Sequence, residues 1–260
     1  MILPASYTNG FAPRDGQPLY PSLWRGCVGA FAPCLGPTGL TLRDWSGYGR
    51  HGALTNMDPG SDWVINGGRY GLDLDGTNDH VVLSQSYSPE VTCSLWVFSR
   101  NITNVNGEYF VGRWEAALQD FYIGAFASGW IARSANATPT QSALLSTPAS
   151  VSRWTHLCLT RSASTLSLTV DGRTTVSTSA VGFQGADVSN TFIGRLSPAT
   201  VFYANAIIDD VRIYNRVLNA VEIKALASRR GIAYDFAPRR RSSSAVQFNR
   251  RRRLLIGAGS

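Results

Sequence analysis

Three aspartates spaced D-x-D-G-x-x-D, Asp73, Asp75 and Asp79, come nearest to a known chemistry, an oxygen-rich loop for a hard divalent cation. An EF-hand is excluded, because no bidentate glutamate follows at the required place. The structural alternative is that these acids organise turns by accepting backbone N–H bonds. A further carboxylate, Asp209, sits in IIDDVRIYNRVL at residues 207–218. Read at period two, Ile207, Asp209, Val211 and Ile213 share the core-facing side of a strand. A carboxylate there needs an arginine, several backbone N–H groups or a cation.

Nucleophile chemistry has little to work with. There is no G-x-S-x-G elbow, no Cys–His pairing in sequence and no histidine cluster with metal-ligand spacing. His51 falls in DWSGYGRHG at residues 44–52, a glycine-rich turn cluster in which a structural role is expected. Cys93 and Cys158 fall within strand patterns and are expected as buried thiols. Cys27 and Cys34 sit in a Gly/Pro-rich stretch with six residues between them, where a local disulfide is open but zinc is not indicated. Trp114, Tyr122 and Trp130 lie near strand ends and are the candidates for stacking on sugar rings, with burial as the alternative.

Charge is distributed unevenly. From Arg229 onward the chain carries nine arginines against one aspartate, so the net charge of +7 belongs to this tail. Arg239, Arg240, Arg241, Arg250, Arg251, Arg252 and Arg253 are the candidate docking residues. Their partner would be an acidic protein surface or, less favoured, nucleic acid without sequence preference. The first residues show neither a basic n-region nor an apolar h-region, so no signal peptide is expected, and no stretch is apolar enough to span a membrane.

The elements that must position these residues read as β-structure. Leu166, Leu168 and Val170 alternate with Thr165, Ser167 and Thr169, and Asp171-Gly172 then turns a hairpin into residues 173–179. Residues 91–98 and 154–161 read as central strands, and 134–152, rich in Ser, Ala, Thr and Pro, as a surface loop. Asn219 can cap a short helix over 220–227, with Glu222 completing a capping box and Leu218 stapled to Ile223. Residues 1–39 are expected to form a Pro/Gly-rich arm, 40–228 a β-sandwich, and 229–260 an Arg-rich tail. Trp24, Val28 and Phe31 in the arm are apolar enough to cover the domain's own edge or to dock on a partner.

An ordered set of segments carries a family resemblance. They are DWSGYGRHGAL (44–54), YGLDLDGTNDHVVL (70–83), VTCSLWVFSR (91–100), RWTHLCLTR (153–161), LSLTVDG (166–172), FIGR (192–195) and IIDDVRIYNRVL followed by a short helix. The set resembles laminin-G-like domains of the concanavalin A-like lectin/glucanase superfamily. That resemblance implies an all-β, jelly-roll β-sandwich with one short C-terminal helix and extended arms at both ends. It places Trp96 and Trp154 at core positions and allows one rim calcium on Asp75, Asp79 and Asp209. Glucanases on this fold pair glutamates two or four residues apart. Glu90, Glu108, Glu115 and Glu222 offer no such pair, so no enzyme is expected. The whole chain is also similar to laminin-G-like proteins of tailed phages, implying a virion structural component, assembled in the host cytoplasm and held by its arms to capsid or tail proteins. A homo-oligomer fits that likeness, and contact with host-surface glycans or a lectin-like carbohydrate-binding role is the alternative.

Overall fold

Alternating apolar and polar residues make strands that bury one face, and two such sheets face each other across a single core. The computed structural model describes residues 18–84, 90–102, 107–114, 119–127, 129–135, 142–179, 190–196 and 202–235. In chain order the strands are β1 (Cys27–Phe31), β2 (Thr41–Leu42), β3 (Gly52–Thr55), β4 (Trp63–Asn66), β5 (Arg69–Asp75), β6 (His80–Leu83), β7 (Val91–Ser99) and β8 (Glu108–Trp114). They continue as β9 (Gln119–Phe126), β10 (Gly129–Ala135), β11 (Ser142–Pro148), β12 (Trp154–Arg161), β13 (Thr165–Val170), β14 (Thr174–Ser179), β15 (Thr191–Ile193) and β16 (Asn205–Tyr214). Helix α1 (Ala220–Leu226) follows.

The first sheet runs β14-β13-β12-β7-β16-β5-β4, with β1 paired to the second half of β16. The second runs β11-β10-β9-β8-β15-β6-β3-β2. Between them lie Leu72, Leu74, Leu95, Val97, Phe110, Phe121, Ile123, Leu157, Leu159 and Leu168, all fully buried. The all-β sandwich with one helix is therefore the architecture of this chain.

Four expectations change. Residues 134–152 are not one surface loop: β10 reaches Ala135, and β11 pairs with it from Ser142 to Pro148. The low hydrophobicity of that stretch hid a strand at the end of a sheet. Strand β16 does not keep period two, because a bulge falls between Asp209 and Arg212, where Asp210 takes a positive φ of 45°. Ala206 and Ile208 face the core before the bulge, Val211 and Ile213 after it, so Asp209 points to the outside of the sheet. Trp96 and Trp154 also lie on that outer face, half-buried, and not in the core. Finally, β1 lies inside the segment 1–39, and a short 3₁₀ turn, Ile232–Tyr234, lies inside 229–260, so the described fold extends into both segments.

These additions form a second apolar layer on the outer face of the first sheet. Leu23, Trp24, Cys27, Tyr214, Leu218, Ile223, Leu226, Ile232 and Tyr234 are among its buried members. Helix α1 starts as expected: Asn219 accepts from the N–H groups of Val221 and Glu222, and Glu222 reaches back to the Asn219 N–H. Leu218 and Ile223 meet in the same layer. No helix among the described residues is long and apolar enough to cross a membrane.

Candidate functional site

The outer layer is pinned by charges at the bulge. Asp210 Oδ1 accepts from Arg212 Nε at 2.9 Å, and its Oδ2 from the Gly231 N–H at 2.9 Å. Arg212 is fully buried, its guanidinium carbon 4.7 Å from the Trp24 ring and 4.6 Å from the Tyr234 ring. Those two rings meet edge to face at 5.2 Å, and Trp24 Nε1 donates to the Ala233 carbonyl at 2.9 Å.

Asp209 finds its partners in this layer. Its Oδ1 accepts from the N–H groups of Cys34 at 2.9 Å and Asp210 at 2.7 Å, while Arg230 Nη1 stands 3.5 Å from Oδ2. Burial, with the Asp210 charge adding to it, pushes Asp209 up to about 7 against the opposing pull of Cys34 and Arg230. Arg230 also lies 3.9 Å over the Trp154 ring and donates to the Asn66 carbonyl at 2.6 Å. An arginine counted with the basic tail is thus a buried part of the fold. The doubled aspartate beside an arginine, D-D-V-R, was the sequence signal for the bulge and its ion pair.

The same layer brings the two ends of the described chain together. The Leu19 N–H donates to the Asp235 carbonyl at 2.9 Å, and Arg229 pairs with the Asp235 carboxylate. Leu19 and Asp235, next to the two limits of the described chain, therefore lie side by side. Arg239, Arg240, Arg241, Arg250, Arg251, Arg252 and Arg253 lie outside the described residues.

The three carboxylates considered for calcium do not converge. Asp75 Oδ1 accepts from the Thr77 and Asn78 N–H groups at 2.7 and 3.3 Å, and Asp79 Oδ2 from the Asp75 N–H at 3.2 Å. Burial works to raise Asp75, but these N–H bonds outweigh it and hold the carboxyl below its ordinary range. Burial and the neighbouring carboxylates push Asp79 up to about 6. Asp75 pairs across β5–β16 with Asn205, four residues short of Asp209, a separation of about 13 Å along the strand. The donors are spent on their own turns and ion pairs, and no cluster of three ligand side chains occurs among the described residues. These residues do not fit a shared cation.

Two of the three sugar-stacking candidates are also enclosed. Trp130 is fully buried, edge to face with Phe110 at 5.9 Å, and cannot present a ring face. Tyr122 is 6% exposed and packs edge to face on Tyr109 at 5.0 Å. Trp114 closes β8 opposite Gln119, and its side chain lies outside the described residues. In β10 the alternation Trp130, Ala132 carried the signal for an inward face.

His51 and the cysteines are structural. His51 Nδ1 accepts from the Asp44 N–H at 3.0 Å, and the Asp44 carboxylate gathers the N–H groups of Ala30, Ser46 and Arg50. All four cysteines are free thiols, Cys27, Cys93 and Cys158 buried and Cys34 partly so.

One nucleophile–base pair escaped sequence reading because its members are 62 residues apart. Ser94 Oγ lies 2.8 Å from His156 Nε2, on paired strands β7 and β12. Both side chains are sealed beneath the outer layer, and burial pushes His156 down to about 4. An imidazole depressed from 6.5 in the unfolded chain stabilises the fold above that value, and the contribution is lost as pH falls towards 4. A shift of this size is worth about 3 kcal/mol. Urea unfolding of wild type and His156→Asn across pH 7 to 4 should show the wild type losing that much more than the variant. Parallel pH profiles would remove His156 from the acid response.

Two antiparallel sheets facing each other across one core, with a closing strand and a capped helix, define a concanavalin A-like sandwich. The chain belongs to the concanavalin A-like lectin/glucanases superfamily, whose laminin G type 3 model matches residues 75–224. Among solved structures it resembles the binding domain of Paraclostridial mosquitocidal protein 1, at 17% identity and a TM-score of 0.63, covering 79% of this chain and 52% of that one. It also resembles the receptor-binding domain of botulinum neurotoxin type G, at 16% identity and a TM-score of 0.58, covering 78% and 51%. Trypanosoma rangeli sialidase aligns at 17% identity and a TM-score of 0.59, covering 78% of this chain and 32% of that enzyme. The chain thus spans about half the length of the toxin domains and a third of the sialidase, and these likenesses establish the fold alone. No curated protein sequence matches the chain significantly.

Proposed function

We propose that this chain is a non-catalytic display module of a tailed-phage particle, a lectin-like sandwich held to capsid or tail proteins by its two arms and directed at surface glycans. The observation that supports the reading is the hydrogen bond from Leu19 to Asp235, which brings the two ends of the described chain together. The sealed Ser94–His156 pair and the lack of a glutamate pair at glycosidase spacing support a binding role over a catalytic one. The receptor-binding domains with this fold support the glycan side of the reading.

The experiment is a density gradient of nuclease-treated particles assembled with the other structural proteins of the particle. Full-length chain should travel with particles, and a chain ending at Asp235 should stay at the top. Incorporation of both would move the anchor off the Arg-rich segment. Absence of both from particles would overturn the virion assignment. Loss of full-length chain on nuclease treatment alone would make the arginines a nucleic-acid contact.

A further inference from the structure

The outer layer covers the first sheet only as far as β12, and its edge leaves a step. Beyond α1, Thr160, Ser167, Thr169 and Thr175 floor an open cleft of about 220 Å³, walled by Ala220 and Ile223 on one side and by Gly172 and Arg173 on the other. Its hydroxyls form cross-strand pairs, Ser167 with Ser177 at 2.8 Å and Thr169 with Thr175 at 2.9 Å. Thr160 lies opposite Ser167, which lies opposite Ser177, giving a row of three across β12, β13 and β14. Neighbouring rows are about 6.7 Å apart along the strands and about 4.8 Å across them, a lattice on the scale of a saccharide unit. Each hydroxyl keeps donor or acceptor capacity beyond its pair.

The cleft is rigid and positively charged. Gly172 takes a φ of 64°, and a Cβ there would stand 2.8 Å from the Ala227 Cβ and 3.1 Å from the Lys224 Cα, so the hairpin turn sits directly on α1. Arg173 is exposed, and its guanidinium has no ion pair or hydrogen bond among the described residues. Lys224, the only lysine in the chain, is exposed on the helix turn against Gly172. The nearby acids are engaged, Asp171 by Arg153 at 3.0 Å and by the His156 N–H at 2.9 Å, Glu222 by Arg216 at 2.7 Å. Hydroxyls in rows match a polyol, and the unpaired cation at the rim matches a negative charge on it. The cleft-lining residues include no aromatic ring on which a base could stack.

We propose that this cleft binds an acidic saccharide, with Arg173 meeting a sugar carboxylate and Thr160, Ser167, Thr169 and Thr175 meeting ring hydroxyls. The inference rests on the display reading above and names the face that would be displayed. It is tested by methyl NMR of the full-length chain titrated with trigalacturonic acid, against maltotriose and sodium sulfate at equal concentration. The expected result is shifts at the Thr160, Thr169, Thr175 and Ile223 methyls with trigalacturonic acid and none there with maltotriose. Binding should weaken about tenfold in Arg173→Ala, the worth of one charge-assisted hydrogen bond. Shifts that maltotriose or sulfate reproduce, that persist unchanged in Arg173→Ala, or that never reach the cleft would each overturn it. Particle attachment is read separately in the gradient, so a failed cleft leaves the anchor standing and a failed anchor leaves the cleft's own binding measurable.

Discussion

A chain ending at Ser228 is expected to lose cooperative folding, while a chain ending at Asp235 keeps the stability of the full-length protein. By composition the two endpoints look equivalent, since the basic tail begins at Arg229. Their physics differs. The seven residues between them bury Ile232, Ala233 and Tyr234 in the outer layer, and Trp24 donates to Ala233. Losing the burial of Ile232 and Tyr234 costs roughly 1.5–3 kcal/mol each by area. The same cut removes Arg230 from Asp209 and the Gly231 N–H from Asp210, leaving two buried carboxylates short of partners. Each such loss costs about 1–3 kcal/mol, and more for a charge. Together these reach the scale of a domain's whole stability, about 5–15 kcal/mol. Urea unfolding followed by tryptophan fluorescence and near-ultraviolet circular dichroism checks it. If the Ser228 chain unfolds within about 1 kcal/mol of full length, the outer layer contributes little to the fold.

What could be read in advance follows from how local the determinants are. The strand β13 and its turn were legible because Leu166, Leu168 and Val170 alternate with hydroxyls and Asp171-Gly172 can take positive φ. The α1 cap was legible because its donors and acceptors lie within four residues. The outer layer was not, because its contacts join residues about two hundred positions apart, such as Trp24 with Ala233 and Tyr214 with Leu23. The bulge at Asp210 hid Asp209's true side, since one extra residue flips every side chain before it relative to those after. The cleft was invisible for a related reason. Thr and Ser on an exposed strand face read as ordinary solvated surface until α1 is seen standing beside them.

The Asp210→Asn variant is expected to lose about 3–5 kcal/mol, close to the limit for a single conservative change. Asparagine tolerates the positive φ of Asp210, so backbone strain is held constant and the difference is charge. The amide oxygen can still accept from Gly231, but Arg212 is left as a cation buried against Trp24 and Tyr234 with no carboxylate beside it. Removing both charges should be gentler than removing one. In Asp210→Asn/Arg212→Met, the thioether can pack against both rings. The double variant is expected to recover most of the single loss, with a coupling of about 2–3 kcal/mol in a double-mutant cycle of urea unfolding energies. Because Arg212 packs on Trp24 and Tyr234, Asp210→Asn should also loosen the junction of Leu19 with Asp235, seen as faster amide exchange at Leu19 with the sandwich core still protected. Additive losses with unchanged exchange at Leu19 would mean that the bulge geometry, and not the ion pair within it, holds Leu19 against Asp235.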